Sequence, residues 1–99
     1  MLKIPSHLTE STTTWLREVE ATFSLLPQQH ELLLNAAEAL DLAEKARARV
    51  AADGHFVEDR FGQLRAHPGL AVERGARAAF DRGVRALRLP LFSDKGRRG

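Results

Sequence analysis

Apolar positions recur along this chain at helical spacing, most clearly between Pro27 and Gly54. Leu33, Ala36, Leu40, Ala43, Arg47 and Val50 fall at alternating steps of three and four, and Leu32, Ala36, Ala39, Ala43, Ala46 and Val50 form a second stripe beside them. The pattern predicts one long amphipathic helix with a wide apolar face. Proline suits a first helical position, where its missing N–H has no partner, and glycine suits the left-handed residue that ends a helix. Ala, Leu, Glu, Gln, Lys and Arg dominate the interval, all strong helix formers. Glu31, Asn35, Glu38, Asp41, Lys45 and Arg49 mostly take the far side. About 26 residues at about 1.5 Å each span roughly 39 Å, whereas a compact domain of this length has a radius of gyration of about 13 Å. The alanines admit close helix approach. The expectation is a face too long for one chain to cover, completed by other copies of itself through Leu33, Ala36, Leu40, Ala43 and Val50.

The flanking segments are shorter. Residues 1–10 lack periodicity and read as a flexible N-terminus. Ser11, Thr12, Thr13 and Thr14 are alternative N-caps for a first helix from about Thr12 to Leu25, carried by Trp15, Leu16, Val19, Phe23 and Leu26. The step Leu26-Pro27 joins it to the long helix as a hairpin or sharply angled pair. Trp15 and Phe23 could stack on bases, but at this spacing they read as core. Beyond Gly54, Phe56–Glu58 and Gln63–Arg65 flank Asp59-Arg60-Phe61-Gly62, with the Asp start and Gly end of a turn. Such a β-hairpin is marginal unless it docks on helices or on neighbouring subunits. Pro68 opens a third helix with Leu70, Val72, Ala76, Ala79, Phe80, Gly83, Val84 and Leu87 on its apolar side, and Pro90 closes it. The fold expected is all-α: a helical hairpin around one long central helix, a small β-hairpin and a third C-terminal helix. Residues 11–90 form one domain, and residues 91–99 a flexible basic tail.

Charge divides this picture in two. The net charge is +2 over 99 residues. Residues 1–44 hold two basic groups against seven acidic ones, and residues 45–99 hold thirteen against six. A basic half either meets a polyanion such as nucleic acid or complements the acidic half of another subunit. Without cysteine, disulfides and thiolate-bound zinc are excluded. No signal-peptide core and no run near the ~20 apolar residues of a membrane span is visible, so a soluble, intracellular protein without a membrane partner is expected.

Catalytic chemistry finds little support. His30-Glu31 would begin a zinc-protease helix motif, but the second histidine it needs one turn later is Leu34. His7, His30, His55 and His67 lack metal-ligand spacing, and there is no glycine-rich phosphate loop or partnered nucleophile. No enzyme activity, metal, cofactor or small-molecule substrate is expected. On the third helix, Arg74, Arg77, Arg85 and Arg88 share one narrow face with Asp81 among them. That stripe could follow a phosphate backbone, or make salt bridges with a neighbour's acidic half. Lys95, Arg97 and Arg98 of the tail are further DNA-binding candidates.

The order of these features resembles the small subunit of tailed-phage terminases, in the short type often found in prophages. The likeness covers about residues 11–90. It rests on the Trp-containing first helix, the long helix ending Ala52-Asp53-Gly54, the segment Phe56-Val57-Glu58-Asp59-Arg60-Phe61-Gly62, and the His67-Pro68 step. Ala71-Val72-Glu73-Arg74, Ala76-Arg77-Ala78-Ala79-Phe80 and Arg85-Ala86-Leu87-Arg88-Leu89-Pro90 complete it. It implies a non-enzymatic component of the packaging motor in the bacterial host cytoplasm. That component forms a homo-oligomeric ring, recognises double-stranded viral DNA, and recruits the large terminase subunit with its ATPase and nuclease. Gly69, Gly75 and Gly83 depart from the family pattern; together they cost about 2–3 kcal/mol relative to alanine, which calls for close packing, a kink or a later helix start. Two other readings stay open: a helical adaptor that binds only protein, and a small dimeric DNA-binding regulator.

Overall fold

Pro27 and Gly54 bound the central helix as their chemistry requires. Residues 3–89 are described by the structure, a computed structural model. They form α1 (Glu10–Thr22), α2 (Pro27–Asp53), β1 (Phe56–Glu58), β2 (Leu64–Ala66) and α3 (Pro68–Leu87). Gly54 takes φ 87° and its N–H donates to the Val50 carbonyl at 2.7 Å, closing the last turn of α2. At the other end, the Leu26 N–H donates to Gln29 Oε1 at 2.8 Å, while Gln29 Nε2 donates to the Leu87 carbonyl at 2.9 Å. One side chain thus caps the start of α2 and ties it to the end of α3.

Both other helices run antiparallel to α2. On α3, Gly69 lies against Val50 and Gly83 against Ala36, so the pair stays in contact along its length. Cβ atoms added at these glycines would lie 2.9 Å from Val50 Cγ2 and 3.1 Å from Ala36 Cβ, whereas Gly75 faces open space. Close packing therefore accounts for two of the three α3 glycines; nothing in the structure explains Gly75. α1 covers only the N-terminal half of α2. There Leu8, Leu16, Leu33, Ala37 and Leu87 form the core, with Trp15, Val19, Leu25 and Leu89 around it. Trp15 meets Phe80 of α3 edge-on, with centroids 5.2 Å apart and rings at 66°.

This arrangement corrects the expectation that α2 needs other copies to bury its face. Leu33, Ala36, Ala43 and Val50 are buried, and Leu40 half-buried, by the chain itself. α3, 20 residues long, returns along the same stripe. One chain suffices because it is a rod, not a sphere: the radius of gyration is 17.0 Å and the extents are 65 × 24 × 19 Å.

The N-terminal segment also differs from expectation. Leu8 is buried, and the segment is held by carboxylates at three-residue steps on one face of α2. His7 Nε2 bonds Glu38 at 2.6 Å, the Thr9 N–H donates to Asp41 at 2.7 Å, and Thr12 Oγ1 donates to Glu44 at 3.0 Å. Ser11 bonds Glu44 as well, and Lys45 Nζ donates to the His7 carbonyl at 2.8 Å. The cap of α1 is consequently Thr9, outside the expected Ser11–Thr14 run, with its Oγ1 accepting from the Thr12 N–H at 3.2 Å. α1 stops at Thr22, whose hydroxyl donates back to the Glu18 carbonyl. Residues 23–26 then form a longer link to α2 than the expected Leu26-Pro27 step.

The β-hairpin pairs Phe56 with Ala66, Val57 with Arg65 and Glu58 with Leu64, so the second strand starts one residue later than expected. Gln63 belongs instead to the turn closure, where the Asp59 N–H donates to its carbonyl at 2.9 Å. Asp59 Oδ1 accepts from the N–H groups of Phe61 and Gln63, and Gly62 takes φ 77°. That is a type I turn followed by a left-handed residue, a common three-residue hairpin loop. At the hairpin base, His67 Nδ1 accepts from the Gly69 N–H at 2.8 Å, capping α3. α3 ends at Leu87, before the expected Pro90, because Arg88 turns into the left-handed region at φ 51°.

Candidate nucleic-acid and assembly surfaces

The outward face of α3 carries arginines among small residues. Arg74, Arg82 and Arg85 are exposed, separated by exposed Ala71, Gly75, Ala78 and Ala86. At about 100° per residue these three guanidinium stems fall within an arc of about 80°. Their span of eleven residues is about 17 Å along the axis, or about five nucleotide steps of one strand at 3.4 Å. Among the described residues, Arg74, Arg82, Arg85 and Arg88 form no ion pair. Arg82 was missed at the sequence level because it sits beside the narrow stripe, not on it.

Two expected members of the stripe stand differently. Arg77 Nε donates to Glu73 Oε2 at 3.0 Å, and the same oxygen lies 3.6 Å from Arg47 of α2. Glu73 is thus a shared acceptor that fastens α2 to α3 and engages Arg77. Arg88 lies past the helix end in a left-handed conformation, so it leaves the periodic face. Lys95, Arg97 and Arg98 lie outside the described residues. Asp81 is exposed and forms no ion pair among the described residues.

The three most exposed large apolar side chains among the described residues are on the hairpin, ahead of Leu26, Leu42 and Val72 elsewhere. Phe56, Phe61 and Leu64 are 65%, 73% and 70% exposed. Phe56 and Leu64 share one face, as their register dictates. Phe61 stands at the tip with the Arg60 guanidinium 5.0 Å above its ring. At the opposite end of the rod lies a mostly apolar groove of about 440 Å³, lined by Trp15, Val19, Phe23, Phe80, Val84 and Leu89 and edged by Asp81 and Arg85. Neither the exposed knob nor the groove follows from helical periodicity, which records that a residue is apolar but not what it touches.

Three aspartates are held below the ordinary carboxylate range. For Asp41, burial is the largest influence and pushes upward. Bonds from Lys45 and the Thr9 N–H, with the charges of Lys45 and His7, outweigh it. Asp53 is lowered first by its bond from His67 and then by Arg49, and Asp59 first by Arg65 and then by the Gln63 N–H. His67 Nε2 lies 2.9 Å from Asp53 Oδ2. Because Nδ1 accepts from Gly69, the hydrogen-bond network assigns the ring proton to Nε2.

The fold also brings His7, Glu38 and Asp41 together, with ligand atoms all within 4.8 Å. These groups are already matched: His7 to Glu38, and Asp41 to the Lys45 ammonium at 2.8 Å and the Thr9 N–H. A cation would have to displace Lys45, so the cluster reads as a tether for the N-terminal segment. No helix among the described residues is long and apolar enough to cross a membrane. Comparison with protein-family models, with curated proteins and with solved structures returns no match.

Proposed function

We propose that this chain is a self-assembling, DNA-contacting packaging component of the terminase small-subunit type. In this role it binds double-stranded viral DNA and presents it to a large subunit that supplies the ATPase and nuclease. The observation that carries the DNA-contacting part is the face of α3, where Arg74, Arg82 and Arg85 stand exposed without ion pairs among small residues. Guanidinium groups pair with phosphate oxygens bidentately, and small residues between them let a helix approach a backbone closely. Three contacts per chain are weak, so useful affinity comes from several chains acting on one duplex. The packaging role itself rests on the sequence resemblance.

The test is binding of labelled duplex DNA by fluorescence anisotropy over a salt series. Each phosphate contact contributes a slope of about −0.9 in log affinity against log salt. Reversing Arg74, Arg82 and Arg85 to glutamate is expected to remove binding while leaving the helical signal unchanged. Affinity that ignores both salt and the triple substitution refutes the reading. One observation favours the rival, a protein-binding adaptor: Glu73 already holds Arg77 and Arg47, so carboxylates do satisfy arginines on this helix. An absence of DNA binding at low salt selects that rival.

A further inference from the structure

The hairpin is rigidly built and almost wholly unburied. Its turn is fixed by Asp59 and Gly62, and its base by the His67 N–H donating to the His55 carbonyl at 2.7 Å. A two-stranded hairpin with both aromatic residues in water is poorly stabilised alone. Three large apolar side chains this exposed mark a contact surface. We propose that the hairpin of one chain docks in the apolar groove of a second copy, with Phe61 entering the groove and Arg60 pairing with Asp81. The proposal rests on the self-assembly part of the function stated above.

Three observations identify the occupant. First, the hairpin follows the C-terminal end of α2, while Trp15, Val19 and Phe23 place the groove beside its N-terminal end. Phe80 and Val84 of the groove flank Gly83, which packs on Ala36, so roughly 20 Å of α2 still lies between the groove and the hairpin base, more than the short hairpin spans back along its own chain. Second, the groove rim carries Asp81 beside Arg85, and Asp81 offers the carboxylate that Arg60 lacks. Arg60 forms no ion pair among the described residues, and Asp81, the acid that interrupts the arginine stripe, forms none either. Docking supplies each with its partner beside an apolar contact. Third, Phe56, Phe61 and Leu64 together offer about 400 Å² of exposed apolar surface. That is about half of the ~800 Å² per partner of a standard stable interface. A single contact is therefore weak. Because knob and groove lie at opposite ends, the contact is head-to-tail, and it gains strength only when a series of copies closes on itself.

Mass in solution, by light scattering across a concentration series, tests this. The full chain is expected as a multi-subunit assembly. Phe61→Asp, at an exposed position that the fold does not use, reduces it to single chains with an unchanged circular dichroism spectrum. Val84→Glu in the groove does the same. Mixed in equal amounts and followed to the top of the concentration series, the two variants form a weak complex of two chains and no larger, because only one intact knob and one intact groove remain. Should Val84→Glu fail to fold, the charge pair still decides: Arg60→Glu weakens assembly, and adding Asp81→Arg to the same chain restores it. Phe61→Asp at full assembled mass overturns the docking while the self-assembly reading stands. A full chain that is single at every concentration overturns both. A two-chain complex from Val84→Glu alone means hairpin-to-hairpin contact and overturns the proposal. A shift of Trp15 fluorescence on Phe92→Ala in the Phe61→Asp background assigns the groove to the chain's own C-terminal segment, and overturns it too.

Discussion

Two glycines eight residues apart on α3 offer a direct measure of how closely the two long helices lie. Replacing Gly75 by alanine adds a methyl that meets nothing within 4 Å. The residue has an ordinary helical backbone, so the substitution gains the full difference in helix propensity, about 1 kcal/mol. For a domain of this size that raises the melting temperature by about 4–8 °C. Replacing Gly83 gains the same propensity, but the new carbon sits 3.1 Å from Ala36 Cβ and 3.5 Å from Ala36 Cα. Unstrained carbon contacts lie at about 3.5–4.0 Å. Ala36 has no rotamer to change, so relief comes only from separating α2 and α3, and overpacking of this kind costs about 1–3 kcal/mol. Gly83→Ala is therefore expected between neutral and about 2 kcal/mol less stable, and clearly below Gly75→Ala. Thermal and urea unfolding followed by far-ultraviolet circular dichroism reads both. Equal stabilisation by the two substitutions would refute the interhelix spacing described here.

Further outcomes follow from the polar anchors. Asp41→Asn weakens the tether to Thr9 and Lys45 and is expected to cost about 1–3 kcal/mol at neutral pH. The Asp41 carboxyl is lowered in the folded state, so its contribution is complete above the unfolded value of about 3.9 and is lost as pH falls through the folded value. The stability gap between wild type and Asp41→Asn should accordingly close below about pH 4; a gap constant across that range contradicts the tether. Gly62→Ala places a side chain at φ 77° and should cost about 1 kcal/mol, read as earlier loss of hairpin amide protection from hydrogen exchange.

Both limits of α2 and the start of α3 were legible because Pro27, Gly54 and Pro68 act through backbone chemistry that is local to themselves, whereas α3 stops at Leu87, short of Pro90, because Arg88 turns left-handed. The same holds for the hairpin turn, whose Asp59 and Gly62 need no distant partner. The start of α1 was not legible. Thr9, Ser11, Thr12, Thr13 and Thr14 can all cap a helix, and the choice falls to Thr9 through a bond to Asp41, 32 residues away. Asp41 itself was placed on the solvated side of α2, since periodicity cannot register a polar strand of chain lying across that side. The α2 stripe shows the complementary limit. Its apolar spacing established that Leu33, Ala36, Ala43 and Val50 are covered, but not by what, and the cover is α3. On α3, periodicity found an exposed basic face. Which arginines are already bonded depends on Glu73 receiving one from each of two helices, a fact held only in three dimensions.

The placement of the core has a consequence for how the rod responds to load. Leu8, Leu16, Leu33, Ala37 and Leu87 gather at the three-helix end, while the buried apolar contacts that hold the far half of α2 to α3 are the small Ala43, Ala46, Val50 and Ala76, joined by the polar ties Arg47–Glu73 and Asp53–His67. Small side chains bury little area, so the free energy of local opening falls along the long axis from the groove end to the hairpin end. The well-packed end is thus the one that would receive a neighbour, while the rigid hairpin that would reach for one is carried on the more sparsely packed half of the helix pair. Small adjustments of angle between successive copies can then be absorbed between α2 and α3 below the hairpin, without cost to the packed core.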